Sequence, residues 1–149
     1  MLSLAQVGYA EWFFGNLYEA IVRVPDLLAG GHVTSILGLG SPVLYYLPGA
    51  MISFGATLAA VITSWKSDRE RGMLVAMVLA LLAGGIATAY LVRTVNLNLF
   101  LHGNSISQAE RSRLLNIWYQ LNMLKLGTTA TAWLLAARIN SRLRSQTLD

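Results

Sequence analysis

The stretch from Met73 to Val92 reads MLVAMVLALLAGGIATAYLV and holds no Asp, Glu, Lys, Arg or His. A helix crossing a hydrocarbon core needs roughly 20 apolar residues at about 1.5 Å of rise each, and this run supplies them. Three further apolar runs surround it, at Leu2–Val22, Pro42–Trp65 and Leu114–Ala137. The second is likewise free of Asp, Glu, Lys, Arg and His; the first contains Glu11, Asn16 and Glu19, and the fourth contains Asn116, Asn122 and Lys125. Backbone polar groups cannot be left unpaired in lipid, so four runs of this length predict four helices.

Composition points the same way. Of 149 residues, 55% are apolar and only 12% are Asp, Glu, Lys or Arg, about half the charged fraction of an ordinary soluble domain. The expectation is an all-α, integral membrane four-helix bundle in a single domain, residues 1–149, with helices at roughly 2–23, 42–65, 68–101 and 108–140. The absence of cysteine excludes a disulfide, a thiolate-bound metal and a thiol nucleophile. The net charge of +4 is carried outside the apolar runs, so it argues for a lipid bilayer as partner and against nucleic acid. The first run has no basic leader and carries glutamates within it, which reads as a retained helix rather than a signal peptide.

Helix starts have local signals. Ser41-Pro42 fits an N-cap followed by proline at the first helical position, and Ser67 with Glu70 and Ser107 with Glu110 fit capping boxes. Gly84-Gly85 inside the third helix permits a bend or a close helix contact. The connection from Arg23 to Ser41 is apolar and glycine-rich, suited to covering one mouth of the bundle. Basic residues near helix ends divide unequally. Lys66, Arg69, Arg71, Arg138, Arg142 and Arg144 fall on one side, and Arg23, Arg93, Arg111 and Arg113 on the other. The richer side is expected to be cytoplasmic, which places both termini there, in a bacterial inner membrane.

The polar residues within the runs form a column on helices one, three and four. Counting rise from the cytoplasmic ends puts Glu11 and Lys125 both near mid-membrane, with Asn122 slightly outward and Glu19, Trp118 and Arg93 in the outer third. Asn96, Asn98 and His102 extend helix three beyond that level, while helix two brings Tyr45, Tyr46 and an apolar wall. Trp118, Asn122, Lys125 and Thr129 make the cleanest stripe. An ionised group at such depth belongs in the interior or a wet cavity, so Glu11 and Lys125 are expected partners. A low-dielectric setting disfavours charge, which also opens a proton-handling role there. The same residues have plainer readings: a register-fixing ion pair for Glu11 and Lys125, interfacial snorkelling for Arg23 and Arg93, and interface anchoring for Trp118. Trp12, Trp65 and Trp133 read as lipid or packing groups. His32 and His102 have no ligand spacing that points to a metal, and no nucleotide, calcium or zinc-protease signature is present.

Three segments carry a family resemblance. GNLYEAIVRVP at 15–25 supplies an acidic position, Glu19, and a closing Pro25. TVNLNLF at 94–100 supplies Asn98, with Asn96 where a proline is often found. WYQLNMLK at 118–125 supplies Trp118 and Asn122, with Lys125 in place of an arginine. The chain in this respect resembles the anthrone oxygenase-like family of small four-helix membrane proteins. That resemblance implies an oxygenase acting on a hydrophobic aromatic, anthrone- or quinol-like substrate, with molecular oxygen and no cofactor or metal. Lysine lacks the planar fork of the arginine it replaces.

Such chemistry needs a base, donors near an enolate oxygen and a greasy pocket. Glu19 or Glu11 can serve as base. Arg93, Asn98, Asn122 and Lys125 can stabilise the oxyanion, and Tyr18, Trp118 and Tyr119 can line a flat site beside Glu11 and Asn96. The alternatives are a non-enzymatic lipid- or quinone-binding or accessory membrane protein, and a transporter built as a homo-oligomer. An enzyme predicts a ligand-sized pocket containing Glu19, Asn98 and Asn122. A scaffold predicts that these groups pair with one another, and a transporter predicts a polar path bearing Glu11 and Lys125.

Overall fold

The structure is a computed structural model, which describes residues 1–29, 42–65, 68–101 and 106–145. The described residues are all helical, in four long helices and no strand. Helix α1 runs through Leu2–Tyr18, a π-wound turn Glu19–Arg23 and a last turn Val24–Leu28. Helix α2 is Pro42–Ser64. Helix α3 is α-helical over Asp68–Tyr90 and π-wound over Leu91–Leu101. Helix α4 is Gln108–Ser145. Ser41, Lys66, Ser67, His32, His102 and most of the proposed covering segment lie outside the described residues, as do the side chains of Tyr45, Tyr46, Arg69 and Arg144.

Helix α1 runs past the expected end at residue 23 because the chain winds through its proline. Pro25 brings no N–H to the carbonyl four residues back. In the preceding π turn an N–H reaches five back instead, and the Val24 N–H bonds the Glu19 carbonyl. The helix then continues, with the Ala29 N–H on the Pro25 and Asp26 carbonyls at 3.0 and 3.1 Å. At the start of α4, the Ser107 Oγ accepts the Glu110 N–H at 3.2 Å. The second arm of a capping box is not made, because the Glu110 carboxylate turns to a two-pronged pair with Arg113 at 2.9 and 2.8 Å.

Helix α1 packs on both α2 and α4, α3 packs on α4, and α2 meets α3 only lightly. The Asn140 Nδ2 donates to the Ser3 Oγ at 3.2 Å, so the start of α1 and the late part of α4 share one end. Two apolar clusters divide the interior. Near that end Leu2, Ala5, Tyr9, Ala60, Met77 and Ala136 belong to a cluster fed by all four helices. At the other end Ala20, Val24, Leu91, Val95, Leu99 and Trp118 gather, so the two π-wound segments meet around the indole.

The α1–α2 seam is made close by small residues. Gly49, Ser53 and Thr57 recur at every fourth position and so share one face of α2. Gly8 lies so near that a Cβ there would stand 2.8 Å from the Gly49 carbonyl oxygen. The Ser53 Oγ donates to that oxygen at 2.7 Å, the Thr57 Oγ1 donates to the Ser53 carbonyl at 2.6 Å, and the Tyr9 hydroxyl bonds Thr57. In α3 the Gly84 Cα faces the Thr128 side chain of α4, the close contact its sequence allowed, while Gly85 opens onto free space.

Much of the outer surface is apolar. Ile62, Ile86 and Leu134 are each about 70% exposed, among more than a dozen other large apolar side chains. Among the described residues one segment, Glu70–Leu99, is long and apolar enough to cross a membrane, and Pro48–Thr63 is a shorter apolar helix. Only 28% of the apolar window in Glu70–Leu99 is buried, which is unlike the core helix of a soluble protein.

Candidate functional site

Between the two apolar clusters lies a polar layer. On α1 it is Asn16, one turn past Trp12; on α4 it is Asn122, Lys125 and Thr129, spaced to share one face. All four are buried, the two asparagines completely and Lys125 to 6% exposure. The layer is locked across the α1–α4 seam by the Asn122 Nδ2, which donates to the Asn16 carbonyl at 3.2 Å. One turn further out the Tyr119 hydroxyl donates to the Ala20 carbonyl at 3.4 Å.

The amide orientations follow from these bonds. The Asn16 Nδ2 donates to the Trp12 carbonyl at 2.6 Å, and either amide turned over would set oxygen against oxygen. Each is therefore left with its Oδ1 free, and both of these buried oxygens have no hydrogen-bond partner. Glu19, half-buried in the π turn, lies within electrostatic range of Lys125 and of Arg23. The layer thus combines a carboxylate, an ammonium and two open amide acceptors.

Lys125 does not pair with Glu11 as expected; it is in electrostatic range of Glu19, without a direct ion pair between them. The carboxyl of Glu11 instead lies on α2, over the spot a Cβ of Gly49 would occupy, and the residue is exposed. The difference lies in facing rather than depth: with Asn122 level with Asn16, Lys125 falls near the level of Trp12 and Phe13, but the Glu11 carboxyl is turned to Gly49 of α2.

The other expected site residues divide. Trp118 is buried and meets Tyr119 edge to face, with ring centres 5.2 Å apart. Tyr18 is 57% exposed and faces outward. On α3, Arg93 and Asn98 are exposed, and the Asn98 Nδ2 is satisfied by the Thr94 carbonyl at 2.7 Å. Asn96 is half-buried with its Oδ1 unpartnered. The inward positions of the π-wound stretch are Leu91, Val95 and Leu99, so α3 delivers apolar groups where polar ones were expected. Helix α2 contributes more than an apolar wall, since Ser53 and Thr57 are buried at its seam with α1. Asn16 is the functional candidate that side-chain depth alone passed over; its spacing of three from Glu19 places both on one face of α1.

The remaining tryptophans divide as well. Trp133 packs with Phe13 and Phe14, and Trp65 lies under the Arg71 guanidinium at 5.5 Å. Trp12 instead lines a groove of about 370 Å³ between α2 and α3, with Ala50, Phe54, Leu81, Gly85, Ile86 and Ala89 also at its walls. The groove holds none of Glu19, Asn98 or Asn122. Trp12 is the residue common to both: it lines the groove, and its carbonyl accepts from the Asn16 Nδ2. Among the described residues no three metal-ligating side chains come together.

Fold and site together define an all-helical bundle with a greasy lateral groove and a buried, partly unsatisfied polar layer. Compared with known protein families, curated proteins and solved structures, the chain shows no match.

Proposed function

We propose that the protein is a membrane-embedded four-helix bundle that binds a hydrophobic small molecule. The apolar part of that molecule lies in the α2–α3 groove and its polar end meets Asn16, Glu19, Asn122 and Lys125. The observation that carries this reading is the pair of buried amide oxygens left open beside a buried ammonium. A purely structural polar layer would close on itself, because an unsatisfied buried acceptor costs about 1–3 kcal/mol. Membrane placement is supported by the exposed apolar side chains and by the long apolar segment of α3. The shared end of α1 and α4 fits the charge bias that puts both termini on the cytoplasmic side.

A second reading makes the same layer catalytic. It is favoured by Glu19 and Lys125 acting on one another, an acid–base group beside a cation. In an oxygenase of the anthrone-acting kind, Glu19 would take a proton from an activated ring carbon. Lys125 would hold the enolate oxygen, the carbanion would add molecular oxygen to form a hydroperoxide, and loss of water would leave a carbonyl at that ring carbon. Arg93 and Asn98 take no part, since both face outward.

The experiment is isolation of the full chain in lipid nanodiscs without added ligand, followed by mass spectrometry of extracted small molecules and oxygen-electrode assays with what is found. A retained aromatic or quinol-like amphiphile, lost in Asn122→Leu, supports binding. Oxygen uptake abolished by Glu19→Gln supports the catalytic reading. Discs from wild type and Asn122→Leu with identical extracts refute the binding site.

A further inference from the structure

The polarity of the layer bears on what kind of oxygen it receives, an inference that rests on the binding reading above. We infer that the Asn16–Asn122 amide pair selects a ligand bearing a hydroxyl, a phenol or hydroquinone, over the quinone or ether of the same skeleton. Both amides have spent an N–H on a backbone carbonyl, at 2.6 and 3.2 Å, and neither can turn over without opposing two oxygens. What each has left to offer is an acceptor, and both acceptors are open and fully buried.

A phenolic O–H closes one of the two open acceptors. Its proton goes to an amide Oδ1, and its oxygen lone pairs accept from the Lys125 ammonium, which carries donors only. A hydroquinone does the same while leaving its second hydroxyl for the Glu19 carboxylate. A quinone carbonyl or an aryl ether has no proton to give. It would satisfy Lys125 and leave both amide oxygens facing a further acceptor, and a site built to bond a hydroxyl rejects analogues lacking it for this reason.

The test is calorimetric titration of the full chain in nanodiscs with 2-naphthol, 2-methoxynaphthalene and 1,4-naphthoquinone, with empty discs subtracted for partitioning. The expected result is naphthol bound at least tenfold more tightly than the other two. In Asn122→Leu that preference falls to within about twofold, one tenfold factor being about 1.4 kcal/mol of lost discrimination. Asn16→Ala repeats the measurement with a milder change, because the Asn16 amide bond is confined to its own helix. Equal or tighter binding of the quinone or ether overturns the hydroxyl preference and leaves the binding reading standing. A preference that persists in both variants overturns the role of the amides. Binding of none of the three overturns the inference together with the reading beneath it.

Discussion

Replacing Gly8 by alanine tests the close α1–α2 seam that sets Trp12 against the groove. A Cβ at Gly8 overlaps the Ser53 hydroxyl and stands 2.8 Å from the Gly49 carbonyl oxygen and 3.2 Å from the Ser53 Cβ. Ordinary contact begins near 3.4 Å. The Ser53 hydroxyl can rotate away, giving up its 2.7 Å bond to Gly49, but the backbone oxygen cannot. The helices must therefore part by about half an ångström, enough to forfeit about a quarter of the dispersion energy along the seam. Overpacking of this kind costs about 1–3 kcal/mol, against a helix-propensity gain of about 1 kcal/mol for glycine to alanine. The net expectation is a loss of about 1 kcal/mol, near fivefold in the unfolding constant. Gly55→Ala provides the control, since no atom lies within 4 Å of a Cβ there and only the propensity gain of about 1 kcal/mol applies. Denaturant unfolding in mixed micelles, followed by circular dichroism, compares the two with the wild type. A Gly8→Ala protein as stable as Gly55→Ala would show that the seam is not packed as described.

Lys125→Met removes one of the two cations that act on Glu19; removal of one partner of a directly bonded buried pair costs about 3–5 kcal/mol, an upper bound here because no direct ion pair is made. Because Glu19 is half-buried and also near Arg23, a loss of about 1–3 kcal/mol is expected, with most of it recovered in the Lys125→Met, Glu19→Gln double variant. Strictly additive unfolding energies in that cycle would remove the pair from the argument. Outside the apolar segments, the two-pronged bond from Arg113 holds the Glu110 carboxyl below the ordinary carboxylate range. Its contribution to folding is therefore present above the usual carboxylate pKa and lost as pH falls through the lowered one; Arg113→Gln should raise the midpoint seen by carbon NMR, and an unmoved titration would refute the pairing. Gly85→Phe should fill the groove, since Gly85 lines it with no atom near its missing Cβ. It should weaken binding of a hydrophobic ligand without lowering stability, and undiminished binding measured in nanodiscs would place the ligand elsewhere.

The four helices were legible because their apolar runs are long and their interruptions are charged or glycine-rich. Neither π-wound segment was, because hydrogen-bond register leaves no mark in composition. The outward placement of Arg93 was nonetheless available from spacing alone: at roughly 100° per residue it stands about 200° from the buried Leu91, while Val95 is one turn on from Leu91 and shares its face. Depth counted from the ends of runs put Lys125 and Glu11 at similar levels, but it could not show that the Glu11 side chain turns to Gly49 of α2. The Trp118, Asn122, Lys125 and Thr129 stripe was read well, because it lies in regular α-helix where spacing alone fixes the face. The open amide oxygens were invisible in sequence, since they depend on which atom of each asparagine the backbone opposite consumes.

The π turn in α1 also bears on how the chain can change length. A π turn holds more residues per revolution than an α turn, so Glu19–Arg23 is a place where surplus chain is stored in the winding. Deleting one residue there lets the turn relax to α, and Trp12 and Asn16 before it can keep their facing relative to Val24 after it. The same deletion in the regular part of α4 would rotate everything beyond it by about 100°, turning Lys125 toward the outside. Single-codon deletions should therefore be better tolerated over the five residues of that turn than in the regular part of α4, at the very edge of the most polar layer.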